Sequence, residues 1–316
     1  MAERTVHREQ DGRVLTVRLD NPPHNFMTGA MVVELLDLAR SLEGDDSVGA
    51  VIVTGAPEDL FVTHYDVEEI RRGSEGVGQP VSAAVAGASL RAVGAVERIP
   101  RVGQALRGTP AAGLVALREI HELWVRLSRL DKVIIAAING TAVGGGCELA
   151  LACDIRLMAR GDHLIGLPEV TLGIMPGAGG TQRLTRLLST GRALEMILEG
   201  RIVDADEAER MGLIHRAIDP ARLAEEARAV AERMARRSPL SVAGVKRAVY
   251  EGSSRSLPEG LRLERAAFMA TTSTPPALRA MDAYLRQLEE TGDAPWKSDE
   301  LRAKWQEGIA VDLTDG

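Results

Sequence analysis

Four short apolar-rich stretches punctuate the first half of the chain: RVLTVRLD at 13–20, VGAVIVTG at 48–55, KVIIAAING at 132–140 and IRLMA at 155–159. Runs of this length, bounded by glycine or charge, predict strands. Between the first two, MTGAMVVELLDLARSLE repeats its apolar residues at helical spacing, so the chain reads strand, helix, strand. That order predicts an α/β core with parallel strands in place of a helical bundle. The second half changes period, and helical spacing is expected at 178–188, 193–199, 204–211, 220–236, 241–250, 259–271 and 275–289. Asp219 followed by Pro220 is a helix-start signal.

Two tracts break these patterns. Residues 72–116 are rich in glycine and alanine, contain Pro80, Pro100 and Pro110, and are too long for an ordinary connector; they read as an insertion or a lid. After Gly292 the periodicity weakens and a peripheral tail is expected. The resulting division is a core over 1–200 that includes the insertion, a helical region over 201–292 and a tail over 293–316.

The 316 residues are 45% apolar, enough for a substantial core. The net charge of −7 is dispersed along the chain and leaves no basic footprint for nucleic acid. No apolar run is long enough to span a bilayer, and the first residues lack the core of a signal peptide. Cys147 and Cys153, six residues apart in one apolar segment, suggest buried thiols in a reducing cytoplasm and no disulfide framework or metal cluster.

Against this background Glu148 is out of place. It sits inside INGTAVGGGCELALACD, among residues that otherwise read as interior, where an ionised carboxylate is costly to bury. The preceding glycines either make a tight turn or bring free helix N–H groups up to an anion. They lack the spacing of a phosphate loop or a dinucleotide fingerprint. A second carboxylate, Glu169, follows 21 residues later in GLPEVTLGIMPGAGGTQRLTRLL, enough chain to leave a helix, form a strand and return. Each glutamate alone reads as a solvated or structurally paired acid. Together in a partly dry pocket they would divide proton removal from proton delivery.

The stretches IAAINGTAVGGGCELALACDIRLMA and LPEVTLGIMPGAGGTQRLTRLL resemble the enoyl-CoA hydratase/isomerase, or crotonase, superfamily most strongly, with a weaker match from about residue 12 to about 290. The resemblance implies an α/β fold with a spiral ββα core, a C-terminal helical trimerisation region, and a homotrimer or homohexamer. It implies an oxyanion hole made by the backbone N–H groups of Tyr65 and Gly145. It also implies that Glu148 and Glu169 are the catalytic pair, which favours an enoyl-CoA hydratase acting on an acyl-CoA thioester. The alternatives are enoyl-CoA isomerisation or a catalytically weak acyl-CoA-binding scaffold. No cofactor or metal is expected, since coenzyme A is carried by the substrate.

The chain departs from the family pattern at FVTHYDVEEI, where small residues are usual. His64 and Tyr65 there either touch substrate or support the turn. Asp66 is expected to cap the next turn and Asp154 to support the end of the Glu148 helix. Met175 is either an acyl-pocket residue or a gap filler, and Arg183 and Arg186 are expected at helix or subunit contacts. The family's usual basic ending is altered, leaving Arg279 and Arg286 as substitutes.

Overall fold

The computed structural model of the chain describes residues 4–75, 81–96, 109 and 111–314. Residues 76–80 and 97–108 with Pro110, and therefore much of the expected insertion including Pro80 and Pro100, lie outside the described residues.

A six-stranded sheet forms the centre. Its strands are β1 (Val6–Asp11), β2 (Val14–Leu19), β3 (Ala50–Gly55), β4 (Val133–Ile138), β6 (Ile155–Ala159) and β9 (Arg216–Ile218), hydrogen-bonded in that order. From β2 to β9 every neighbour is parallel, as the strand, helix, strand reading predicts; β1 adds an antiparallel edge. β1 escapes the hydrophobic pattern because only Val6 of VHREQD is buried.

Both faces of the sheet are covered, as a parallel sheet requires. Because side chains alternate along a strand, Val51, Val53, Ile134, Ala136 and Ile138 pack on one side with the helices Gly29–Ser41 and Ala112–Arg129. Ala50, Ile52, Val133, Ile135 and Ala137 pack on the other against the helix Leu223–Ala235. Asp219 caps a short 3-10 turn, Pro220–Arg222, ahead of that last helix.

A smaller sheet joins β5 (Ala142–Val143), β7 (Ile165–Gly166) and β8 (Ile202–Val203). With two residues each, these strands carry no periodic signal. They matter for position: β5 continues the loop after β4, and β7 lies beside β5 in parallel. The carboxyl ends of parallel strands are where open α/β folds gather functional loops. Here the loops after β3, β4, β5 and β7 meet.

Among the described residues no helix is long and apolar enough to cross a membrane. The final segment carries a further helix, Asp299–Glu307. Arg236 and Arg237 donate to the carbonyls of Glu307 and Trp305, and Trp305 packs edge-on against Tyr284.

Asp154 anchors the C-terminal helices to the sheet. Its carboxylate accepts from the N–H of Ile134, from Lys246 Nζ and from Tyr250 Oη, each at 2.8 Å. The lysine is 6% exposed, and its ammonium also donates to the carbonyls of Leu127 and Lys132. Burial pulls Lys246 below its usual pKa while Asp154 opposes that shift. Removing one member of a buried pair strands the other. Asp154→Ala should therefore cost about 3 kcal/mol, seen as a lower urea midpoint at unchanged slope. A midpoint equal to wild type would show that the node does not hold these helices.

Candidate active site

Glu148 lies in the helix Gly145–Ala152, all eight residues of which are buried. The helix can begin where it does because its first residues lack side chains. A Cβ at Gly146 would stand 1.8 Å from the carbonyl oxygen of Val62, and one at Gly145 would stand 2.9 Å from Tyr65 Cβ and 3.0 Å from Tyr65 N. Gly144 before them has φ +51°, a conformation favouring glycine. At the far end, buried Arg156 donates to the carbonyls of Cys153 and Leu213, fixing the helix exit against the chain that follows β6.

The Glu148 carboxylate is 3% exposed, and its Oε1 accepts two backbone hydrogen bonds, from Ala178 N and Gly180 N, both at 2.8 Å. Those donors belong to the PGAGG turn before the helix Gly180–Leu187. Burial is the largest influence on this acid and raises its pKa to about 7. The two N–H donors and the nearby Arg183 guanidinium oppose the rise, and the charge of Glu169 adds to it.

Glu169 begins the 3-10 turn Glu169–Leu172, three residues beyond β7. Gly144 N donates to Gly166 O at 2.9 Å, so the two glutamate-bearing segments run side by side. This is the return that the 21-residue spacing leaves room for. Burial also raises the Glu169 pKa. Among the described residues its Oε2, buried, has no hydrogen-bond partner. The two acids thus differ: one is clamped by donors that favour the anion, whereas the other has an oxygen with none.

The backbones of Gly145 and Tyr65 face one another across the site. Tyr65 bridges Met27 in parallel, through Met27 N to His64 O and Asp66 N to Met27 O. Its own N–H therefore points to the other side, where Gly145 stands. Gly145, as the first residue of its helix, has no intrahelical partner for its N–H. The two backbones thus stand close together beside the segments that carry Glu148 and Glu169.

The unusual side chains at 64 and 65 are engaged locally. Tyr65 Oη donates to Glu69 Oε2 at 2.9 Å, and Glu69 also accepts from Gly29 N, so the ring is anchored to the helix Gly29–Ser41. Burial, with Glu69 alongside, raises the phenol well above its usual pKa. The His64 ring stacks on Phe26 with centroids 4.2 Å apart and donates from Nδ1 to Tyr65 O at 2.7 Å. Asp66 caps the helix Val67–Glu75, accepting from Glu68 N at 2.8 Å. Arg186 reaches Ser254 Oγ, a helix-to-helix contact, and Arg279 donates to Asp312 O. Met175 is 65% exposed. Cys147 and Cys153 are free and buried.

The four residues named from sequence, Tyr65, Gly145, Glu148 and Glu169, lie together. The donors on Glu148 were missed, because an N–H clamp from Ala178 and Gly180 leaves no side-chain signature beyond a glycine-rich turn.

Comparison with known proteins follows the same segments. The family profile described as enoyl-CoA hydratase/isomerase matches residues 103–299. The short-chain-enoyl-CoA hydratase of Clostridium acetobutylicum is 32% identical, over 90% of this chain and 95% of its own length. The 2,3-dehydroadipyl-CoA hydratase of Escherichia coli is also 32% identical, over 91% of this chain and 97% of its own. The crystal structure of an enoyl-CoA hydratase from Bacillus anthracis superposes with a TM-score of 0.72 at 30% identity, covering 90% of this chain and 97% of that one.

Proposed function

The chain belongs to the enoyl-CoA hydratase/isomerase family, and from that premise we propose that it is an enoyl-CoA hydratase, adding water across the C2–C3 double bond of a trans-2-enoyl-CoA. The observation that carries this reading is a buried glutamate, Glu148, and a half-buried one, Glu169, in unlike surroundings, beside the facing backbones of Tyr65 and Gly145. An isomerase needs one carboxylate to move a proton along an allylic thioester. Hydration needs one acid to take a proton from water and another to give one to carbon, and this site holds both.

In this reading the thioester carbonyl oxygen sits between the N–H groups of Tyr65 and Gly145. Glu148, clamped by Ala178 and Gly180, orients water and takes its proton as the water oxygen bonds to C3. Electrons of the C2–C3 bond move toward the thioester oxygen, where the two donors stabilise the developing enolate charge. Glu169, on the turn beyond β7, delivers the proton to C2. The product is a 3-hydroxyacyl-CoA, and every proton is accounted for by water and the two carboxyls, so the reaction calls for no metal or redox cofactor.

Relatives of equal identity are named for a short acyl chain and for a dehydroadipyl chain, so acyl length is left to the assay. A trimer or a pair of trimers is supported by Leu257, Phe268 and Met269 on one terminal helix and Leu278, Met281 and Leu285 on the next, all exposed. The reading also fits a cytoplasmic enzyme, given the two free thiols.

The test supplies short, medium and long trans-2-enoyl-CoA to protein whose mass is read by light scattering. Formation of 3-hydroxyacyl-CoA is expected, from particles of three or six times 33.9 kDa. Conversion of a 3-enoyl-CoA without any hydroxyacyl product would put isomerisation in its place, and tight binding without turnover would leave a scaffold.

A further inference from the structure

Two hydrogen bonds at the edge of the site share one peptide unit. The Nε2–H of His121 donates to the carbonyl oxygen of Gly177 at 2.7 Å. The N–H of Ala178, the other end of that same peptide, donates to Glu148 Oε1 at 2.8 Å. We propose that His121 is a positioning residue for Glu148, orienting and polarising the Gly177–Ala178 peptide so that its N–H holds the carboxylate in its ionised, reactive form.

The physical basis is the resonance of the amide. A donor on the carbonyl oxygen draws electron density from nitrogen and makes the N–H at the other end a stronger donor. That N–H then favours the anionic form of the carboxylate it touches. The histidine belongs to the helix Ala112–Arg129, which enters from the 72–116 stretch. Leu117, one turn earlier, is the side chain that a Cβ at Gly177 would meet, at 3.9 Å. The helix therefore supports the turn by packing as well as by the hydrogen bond, while His121 remains exposed and reaches a carbonyl 56 residues away.

Other charged groups bear on Glu148 from their own elements: Glu169 from the turn beyond β7 and Arg183 from the helix Gly180–Leu187, with the buried thiol of Cys147 adjacent in its own helix. On the histidine's helix, Arg118 reaches Leu90 O, Glu122 pairs with Arg40 and Arg126, and Glu119 bears on Tyr65. The second peptide that touches the carboxylate, Gly179–Gly180, is bonded at its carbonyl by the backbone N–H groups of Gln182 and Arg183; among the side chains named here, His121 is the one bonded to a peptide that touches Glu148.

The activity arm of the test rests on the hydratase reading; a second arm does not. In protein labelled with 13C at glutamate carboxyls, the Glu148 signal is assigned by its loss in Glu148→Gln and titrated in wild type, His121→Leu and His121→Gln. In His121→Leu the midpoint is expected to rise by about half a pH unit. The acid limb of kcat/KM moves with it, a loss of about threefold below the limb and none above it. His121→Gln, which restores an N–H donor of similar reach, should return both to wild type. If His121→Leu does not fold, His121→Asn, too short for the bond, carries the same expectation. A rate lowered equally at every pH with an unmoved midpoint means the histidine only packs the turn and overturns the proposal. Wild type that forms no hydroxyacyl product overturns the hydratase reading and leaves the carboxyl titration to decide the role of His121.

Discussion

Glu148→Gln is expected to lower kcat for hydration about a thousandfold or more, with KM for the enoyl-CoA little changed and the fold intact. The amide keeps the shape and can still accept from Ala178 and Gly180, but it cannot take a proton from water. The pH profile gives a sharper signature. In the proposed reaction Glu148 is the base, a role open to it only when ionised, and burial raises its pKa to about 7. In wild type, kcat/KM should therefore fall about tenfold for each unit that pH drops below that value, and fall again at the higher pH where Glu169, which must carry the proton it gives to C2, ionises. In Glu148→Gln the acid limb should disappear, leaving a residual rate that falls only at high pH. Glu169→Gln should lose about a hundredfold or more by removing the proton donor to C2. Because the two acids are coupled, the limbs belong to the pair, and the double variant should lose less than the product of the single losses. A Glu148→Gln enzyme that keeps the wild-type rate, or keeps the acid limb, would remove this residue from the chemistry.

Gly145→Ala is expected to lower kcat about a hundredfold in a protein that still folds. A methyl group at 145 would meet Tyr65 Cβ at 2.9 Å and Tyr65 N at 3.0 Å, so the helix start and the 62–65 segment must part by a few tenths of an ångström. The two N–H groups proposed to hold the thioester oxygen lie on either side of that gap. Parting them weakens both bonds to a charge that develops only in the transition state, so kcat should bear more of the loss than KM. Gly191→Ala provides the control, since a Cβ there meets none of the described residues within 4 Å. Equal kcat in Gly145→Ala and wild type would mean that Tyr65 and Gly145 do not share the substrate oxygen.

Much of this was legible in the sequence for identifiable reasons. β3 and β4 are buried at every position, and a fully apolar run announces itself. β1 did not, because an edge strand with one buried residue resembles any polar segment. Glu148 drew notice because a charge inside GGGCELALA contradicts its surroundings. Its clamp did not, because backbone donors have no letter in the sequence. The His121 contact was out of reach altogether, since it depends on how a helix packs against a turn 56 residues away. Tyr65 was ambiguous for a related reason. Its phenol is committed to Glu69, a partner four residues on, and neither residue type advertises that choice.

The two carboxylates stand on foundations of unequal stiffness. Glu148 rises from a helix buried along its whole length, gripped at its head by close backbone approach and at its tail by Arg156. Glu169 opens a single 3-10 turn, and Thr171, Leu172, Gly173, Ile174 and Met175 after it are all exposed. Substitutions along that outer turn can reshape what is admitted beside the second acid without disturbing the seat of the first. In the reaction proposed above, a scaffold built this way separates the choice of substrate from the machinery that activates water, so the one can drift while the other stands still.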